Sequence, residues 1–201
     1  RNKGTNMNLD NIDWDKVNGL VPAIVQDFKS SQVLMLGYMN EEAIENTINT
    51  NFVHFYSRTK KRLWKKGETS GNVLLLNDIR LDCDRDTLLI KASNEGPTCH
   101  LDQYSCFGEE EFNISKLEKI IESRLDNQSK ESYTSSLFNK GIKEIAKKVT
   151  EEAGEVSISA VSNDGRVIEE SADLLFHLLV LLKHQNIGFK NIIVELEKRS
   201  G

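Results

Sequence analysis

Residues 82–86 read Asp-Cys-Asp-Arg-Asp and run directly into an apolar stretch. If this segment is extended, its side chains alternate between two faces with a period of two. One face then carries the three carboxylates, Asp82, Asp84 and Asp86, and the opposite face carries Cys83. Three convergent carboxylates repel one another unless a cation offsets their charge, and they offer the all-oxygen ligands that Mg²⁺ prefers.

Two further cysteines, Cys99 and Cys106, follow in the segment 96–108. Three thiolates suit Zn²⁺ and leave its fourth tetrahedral position to water, whose pKa zinc lowers from about 15.7 to about 7. Cys83, Cys99 and Cys106 therefore form a candidate catalytic zinc site, with His100 as a candidate proton carrier. Plainer interpretations stay open here: a solvated turn for the aspartates, and small buried hydrophobic residues for the cysteines.

A basic stretch at 57–72 stands out in a chain whose net charge is −5. Arginine and lysine bind phosphate oxygens, tryptophan can stack on a purine, and a Gly/Ser/Thr turn can present backbone N–H groups to an anion. The stretch is short and isolated, so we predict a small phosphorylated ligand rather than a nucleic acid, with a solvated basic loop as the alternative. The candidate binding residues are Arg58, Lys60, Arg62, Trp64, Lys66, Glu68, Thr69, Ser70, Gly71 and Asn72.

Carboxylates recur at helical spacing in the second half of the chain. Glu152 and Glu155 share one helix face, and Glu170 and Asp173 share a face of the next helix, beyond the turn at 162–166. The second helix is apolar nearly all round, so we expect its two carboxylates to be desolvated and to need a cation. A charged helix face paired with lysines is the alternative and explains these two poorly. The candidate Mg²⁺ ligands, facing a polyphosphate, are Glu151, Glu152, Glu155, Glu170 and Asp173.

Periodicity divides the chain into two regions that would position these residues. Up to about residue 107, short β-rich runs alternate with Gly, Asn and Ser, and one helix is expected with Asn40 as its N-cap. From about Ile114, apolar residues recur at helical spacing. We predict two domains, a mostly β (α+β) domain at 1–110 and an all-α helical bundle at 111–201. The predicted strands are 21–28, 32–39, 52–59, 72–84 and 86–93, and the predicted helices include 114–125 and 139–160.

Composition restricts the class of function. Hydrophobic residues make up 38% and charged residues 28%, which is typical of a globular protein with a core. The acidic net charge disfavours nucleic acid and anionic lipid as partners. The longest near-apolar run, 174–182, falls short of the roughly 20 residues that a membrane-spanning helix needs, and no signal peptide is visible. An odd number of cysteines disfavours a disulfide framework, so we expect a cytoplasmic protein.

Motifs in both regions resemble known enzyme families. The first region resembles phosphoribosyl-AMP cyclohydrolase through LMLGYMN at 34–40, FYSRTKKRLWKKGETSGN at 55–72, DCDRD at 82–86, GPTCH at 96–100 and SCFG at 105–108. The second resembles phosphoribosyl-ATP pyrophosphohydrolase, itself similar to MazG-type all-α pyrophosphohydrolases, through SYTSSLF at 132–138, KVTEEAGEV at 148–156 and ESADLLFHLLVLL at 170–182. Their order resembles that of the bifunctional enzymes of histidine biosynthesis.

The resemblance implies two consecutive reactions. The second domain would hydrolyse phosphoribosyl-ATP to phosphoribosyl-AMP and pyrophosphate, and the first would add water at C6 of the adenine and break the N1–C6 bond. The product would be the formimino-aminoimidazole carboxamide ribonucleotide. The resemblance also assigns Mg²⁺ to the three aspartates and to the helical carboxylates, and Zn²⁺ to the three cysteines. It implies a homodimer whose zinc site is shared between subunits.

Two other functions fit parts of the sequence. A general nucleotide pyrophosphohydrolase with a zinc-stabilised appendage would hydrolyse ordinary deoxynucleoside triphosphates at rates that rival those for phosphoribosyl-ATP. A zinc-dependent RNA-binding module would show a steep salt dependence of its RNA affinity, although the net charge of −5 weighs against it. No role follows from the sequence for His54, His177 or His184.

Overall fold

A computed structural model describes residues 8–94, 96–126 and 132–200 of the chain. The chain forms two compact units, Arg1–Glu111 and Phe112–Gly201. Within the described residues, strands occur only in the first unit, and the second unit is helical. The predicted layout of a mostly β domain followed by an all-α domain is therefore confirmed. Among the described residues, each helix is either too short or too polar to span a lipid bilayer.

The first unit is built on a mixed sheet of four strands. Its elements are β1 (Val21–Asp27), β2 (Val33–Met39), α1 (Glu41–Thr50), β3 (His54–Ser57), β4 (Arg62–Lys65), β5 (Leu74–Leu81) and β6 (Leu88–Asn94), after a short 3-10 turn at Leu9–Asn11. The strand order is β2-β1-β6-β5, with β1 and β6 parallel and the other neighbours antiparallel. β3 and β4 form a separate antiparallel hairpin.

The core of this unit lies on one face of the sheet. Alternate residues of β1, beginning with Val21, are buried there together with residues of α1 and with Phe55 of β3. The predicted N-cap of α1 is confirmed, because Asn40 Oδ1 accepts a hydrogen bond from the Ala43 N–H at 3.0 Å. β4 was not predicted, since its run of basic residues hides the alternation that identifies a strand.

The second unit consists of five helices in the described residues. They are α2 (Ile114–Asp126), α3 (Tyr133–Lys140), α4 (Ile142–Ser162), α5 (Val167–His184) and α6 (Phe189–Arg199). A tight turn returns the chain from α4 to α5, and it includes Asn163 and Gly165 with left-handed backbone angles. The helices enclose a small apolar core that contains Ile145 and Leu179. Predicted helices at α2, α4 and α5 are confirmed, whereas α3 and α6 were not predicted as separate elements.

Candidate active sites

The three aspartates lie in the turn between β5 and β6 and not on a strand. The paired strands stop before residue 82 and resume after residue 87, and Arg85 has a left-handed backbone angle, φ 66°. Asp82 Oδ1 accepts hydrogen bonds from the backbone N–H groups of Asp86 and Thr87, at 3.0 and 3.1 Å. The predicted extended segment was wrong because these bonds from side chain to backbone favour a turn.

The turn nevertheless brings the three carboxylates together. One oxygen from each of Asp82, Asp84 and Asp86 lies within 4.8 Å of the others, so the group can surround a hard divalent cation. Lys16 Nζ lies 2.6 Å from Oδ2 of both Asp84 and Asp86. Its hydrogen bonds lower the pKa of both carboxyl groups. Lys16 was not identified from the sequence, because it precedes Asp84 by 68 residues.

Cys99 and Cys106 meet in the loop that follows β6. The Cys99 N–H donates to the Gln103 carbonyl at 3.1 Å and closes the loop, and the Cys106 N–H donates to the Leu34 carbonyl of β2 at 2.8 Å. Partial burial raises the pKa of the Cys106 thiol, and the adjacent Cys99 thiol raises it further. Two thiols held side by side in this way can share one metal ion.

Cys83 does not join this pair within a single chain. It is exposed on the β5–β6 turn. Across the described ranges, every group of three or more metal-ligating side chains consists of carboxylates alone. One chain therefore brings together two of the three candidate zinc ligands. His100 lies beside them, with its Nδ1 3.9 Å from the Cys99 sulfur. That sulfur accepts a hydrogen bond from the Leu101 N–H.

The basic stretch forms the β3–β4 hairpin and the turns that flank β4. Arg62 is ion-paired with Glu68, with Nη2 2.5 Å from Oε1, so these two side chains already bind one another. The Trp64 ring packs against Phe55, with ring centroids 5.2 Å apart. Both contacts stabilise the hairpin. Trp64 is partly buried and also packs against the core of the unit.

Lys66 connects the basic stretch to the thiol pair. Burial lowers the pKa of its ammonium group, and the electrostatic influence of Cys106 and Cys99 opposes that shift. Arg58 is exposed and its guanidinium lies 3.7 Å from the centre of the Tyr38 ring. The hairpin and the residue that follows it thus place one partly buried cation at the cysteines and one exposed cation near the hairpin tip.

The turn after β4 is mostly open to solvent. Lys60 at the tip of the hairpin and Thr69, Ser70 and Gly71 in this turn are exposed. The turn is closed by a hydrogen bond from the Gly71 N–H to the Gly67 carbonyl at 2.9 Å. Asn72 lies against Gly96, where an added Cβ would be 2.7 Å from its Oδ1. Any side chain at 96 would therefore displace Asn72.

A second carboxylate cluster lies on α4 and α5. Oxygens of Glu152, Glu155 and Glu170 lie within 4.8 Å of one another. Glu152 and Glu170 are only 5% and 3% exposed, whereas Glu155 is exposed. Asp173 is also exposed, so its predicted desolvation was wrong: the described residues leave that side of α5 uncovered. Glu151 is partly buried and turned toward Lys148, at 2.9 Å.

The charge at Glu170 is only partly compensated. Burial raises the pKa of Glu170; its ion pair with Arg166 opposes this shift, and the neighbouring Glu155 adds to it. The pKa of Glu151 is instead lowered by its hydrogen bonds with Lys148 and Lys147. The buried part of the cluster is therefore the part that most needs a cation.

His177 is a buried residue of this site, and no role was predicted for it. Its Nδ1 lies 2.9 Å from the Asp173 carbonyl oxygen, and its Nε2 lies 2.8 Å from Tyr133 Oη. A carbonyl can only accept, so Nδ1 is the donor of its contact with Asp173. The same Nδ1 is 3.6 Å from Glu152 Oε1, and Lys148 lies 3.0 Å from that carboxylate. Glu152 is thus held from two sides.

The other two histidines without a predicted role make local contacts. His54 Nδ1 is 2.7 Å from the Phe52 carbonyl oxygen. The His184 ring packs against Phe138, with centroids 5.5 Å apart. Neither histidine belongs to the carboxylate or cysteine clusters described above.

Comparison with known proteins assigns each unit to a family. The phosphoribosyl-AMP cyclohydrolase model matches residues 35–108, and the phosphoribosyl-ATP pyrophosphohydrolase model matches residues 114–200.

Full-length relatives combine both units. The histidine biosynthesis bifunctional protein HisIE of Vibrio cholerae serotype O1 is 51% identical over 197 residues, covering 94% of each chain. That of Buchnera aphidicola subsp. Schizaphis graminum is 54% identical over 196 residues, covering 96% of this chain and 95% of the relative. That of Haemophilus influenzae is 46% identical over 208 residues, covering 96% and 94%. The chain therefore belongs to the HisIE family of histidine biosynthesis bifunctional proteins, with its cyclohydrolase unit first and its pyrophosphohydrolase unit second.

Proposed function

We propose that the two reactions of this family take place at separate metal sites, one in each unit. The helical unit hydrolyses phosphoribosyl-ATP to phosphoribosyl-AMP and pyrophosphate, and the first unit then opens the adenine ring of phosphoribosyl-AMP. One observation carries the division. Each unit has its own carboxylate cluster, and a pair of adjacent thiols occurs beside the basic hairpin of the first unit.

In the helical unit, Mg²⁺ would be held by Glu152, Glu155 and Glu170. The residues fit a cation, since two of these carboxylates are buried and burial raises the pKa of Glu170. Bound Mg²⁺ would neutralise phosphate charge and polarise the attacking water. Lys148 and His177 hold the Glu152 carboxylate in position. Asp173 and Glu151 stand at the open edge of the cluster as further candidate ligands. The MazG-like form of this bundle is part of the proposal.

In the first unit, Zn²⁺ would be held by Cys99 and Cys106 together with Cys83 of the partner subunit. The adjacent thiols fit a soft cation, and since a thiol must lose its proton to bind a metal ion, binding should release protons. Bound zinc would supply a hydroxide at neutral pH. Lys66 offsets the charge of the thiolates. His100 is exposed next to Cys99 and is our candidate for moving a proton at the reacting centre.

The phosphorylated ribose of phosphoribosyl-AMP would bind at the hairpin. We retain Arg58, Lys60 and Lys66 as phosphate-binding candidates because their ammonium or guanidinium groups have no carboxylate partner among the described ion pairs. The turn residues Thr69, Ser70, Gly71 and Asn72 would present hydroxyl, amide and backbone N–H groups. Arg62 and Glu68 would contact the ligand as an ion pair, and Trp64 would form the floor of the binding site. Asp82, Asp84 and Asp86 would hold Mg²⁺.

A homodimer is proposed because the first unit has an apolar outer face. Ile24 of β1 is paired with Leu36 of β2 and Leu89 of β6, so the three side chains form a row on the side of the sheet opposite the core. Leu36 is 46% exposed. A second subunit packed on this row would bury it. Cys83 of each subunit would then be able to join the Cys99–Cys106 pair of the other subunit. Reduced thiols of this kind suit the cytoplasm.

Metal analysis combined with an assay on phosphoribosyl-ATP tests the proposal. We expect about one zinc per chain, and formation of both pyrophosphate and the ring-opened nucleotide. Omitting Mg²⁺ from dialysed protein should stop pyrophosphate release, and adding Mg²⁺ should restore it. Full ring opening by protein that contains no zinc would contradict the proposal.

A further inference from the structure

Lys16 occupies the place between two carboxylates that a cation would take. Its Nζ is 2.6 Å from Oδ2 of Asp84 and 2.6 Å from Oδ2 of Asp86. Together with Asp82, these carboxylates converge to within 4.8 Å. A single ammonium group therefore bridges two members of the aspartate triplet, as a bound metal ion would.

The backbone around Lys16 is fixed against the same turn. The Asp13 N–H donates to the Arg85 carbonyl at 2.9 Å, and the Lys16 N–H donates to Asp13 Oδ1 at 3.1 Å. Trp14 and Val17 pack against the core of the unit. The position of Lys16 opposite the triplet is thus a consequence of the fold.

The Lys16 ammonium group and a bound metal ion are both positively charged, so they would exclude one another from the same place. Lys16 neutralises only one of three negative charges, so the triplet still attracts a divalent cation. A cation between Asp84 and Asp86 would be repelled by an ammonium group that remained there. The Lys16 side chain is 43% exposed on a flexible four-carbon stem, so its ammonium group can move into water.

We propose that Lys16 is a displaceable counter-ion of the aspartate triplet. It stabilises the triplet in the metal-free protein and leaves the gap between Asp84 and Asp86 when Mg²⁺ binds, so it holds the Mg²⁺ affinity below what the carboxylates alone would give. The inference rests on the proposed function, which takes Asp82, Asp84 and Asp86 as Mg²⁺ ligands.

The test uses the full chain with the additional substitution Glu170→Gln, so that the helical unit does not compete for the metal. In this background, Lys16→Met keeps most of the apolar stem and removes the charge. Titration calorimetry with Mg²⁺ alone should then show an affinity about three- to tenfold higher. The metal-free protein should melt at a lower temperature, because the triplet has lost its counter-ion.

Lys29→Met is the matched control. It changes the net charge equally, but Lys29 follows the far end of β1, whereas the triplet precedes the start of the parallel strand β6. The seven residues of β1 put these two positions roughly 20 Å apart. This distance exceeds the Debye length in ordinary buffer, so salt screens the interaction between them. We expect no change in Mg²⁺ affinity for this variant. Lys16→Arg, which keeps the charge, should retain the wild-type affinity within a factor of about two.

Two outcomes separate this inference from the site on which it rests. If Lys16→Met leaves the Mg²⁺ affinity unchanged or weakens it, Lys16 is not a competitor. Asp82→Asn tests the site itself, since Asp82 is not paired with Lys16 and asparagine keeps the Oδ1 acceptor of the turn. If Asp82→Asn also leaves Mg²⁺ binding intact, the assignment of Mg²⁺ to the triplet is wrong and the inference falls with it.

Discussion

Substituting Cys99 with serine is expected to reduce ring opening of phosphoribosyl-AMP by about three orders of magnitude or more, while pyrophosphate release from phosphoribosyl-ATP continues. Serine is close to cysteine in size but is a poor zinc ligand, so the metal and its activated water should be lost. Cys99 is buried in a loop of the first unit. The helical unit contains its own carboxylate cluster and should therefore be unaffected.

The measurement follows both products from phosphoribosyl-ATP in one reaction, together with the zinc content of each protein. Asp102→Asn is the matched control: Asp102 lies exposed in the same loop with φ 60°, a backbone angle that asparagine tolerates. We expect it to retain zinc and ring opening. Loss of both activities in a folded Cys99→Ser protein would show that the two reactions do not occupy separate sites.

The substitution Glu170→Gln is expected to lower pyrophosphate release by two to three orders of magnitude, in the approximate range seen when a transition-state charge contact is removed. Glutamine preserves the size of the side chain and removes the buried charge that Mg²⁺ would need. Because burial raises the pKa of Glu170, the metal-free melting temperature should not fall when this charge is removed. The part of the Mg²⁺ stabilisation that comes from the helical unit should disappear instead, whereas binding of Mg²⁺ at the aspartate triplet should remain.

Glu169→Gln is the control for this variant. Glu169 is adjacent to Glu170 and also lies near Arg166, at 3.5 Å, but it does not belong to the carboxylate cluster. It should keep both its pyrophosphate release and its response to Mg²⁺. Phosphoribosyl-AMP supplied directly should be converted by both variants. If Glu170→Gln hydrolysed phosphoribosyl-ATP at the wild-type rate, Glu170 would not belong to the active site.

Local patterns predicted most of the elements because their signals are short in range. Asn40 precedes an acidic first turn and does cap α1, and β-rich runs bounded by Gly, Asn and Ser identified β1, β2 and β6. Helical spacing was enough to place Glu152 and Glu170 on facing helices, where their oxygens do converge.

The features that were predicted wrongly or missed have a common physical cause. Each of them is decided by contacts that form only in the folded chain. Alternation alone made residues 82–86 extended, but Asp82 accepts two backbone hydrogen bonds and closes a turn. Lys16 reaches the triplet only because the strand order places the start of β1 beside the start of β6. His177 acquires its partners from a separate helix, α3. Asp173 is exposed because burial depends on which sides of α5 have neighbours.

We propose that each ring-opening site combines Cys99 and Cys106 of one subunit with Cys83 of the other. Mixed dimers test it most directly: Cys83→Ser and Cys99→Ser chains, co-expressed with different affinity tags, are purified over both tags. One of the two sites in such a dimer then keeps all three thiols. We expect about half of the wild-type ring opening and about one zinc per dimer, although neither parent is active.

Mixed dimers of Cys99→Ser and Cys106→Ser chains provide the control, since each of their sites lacks one thiol and should stay inactive. Recovery in the first pair and none in the second is the predicted result. No recovery of zinc or ring opening in tandem-purified Cys83→Ser/Cys99→Ser dimers would contradict a zinc site shared between subunits.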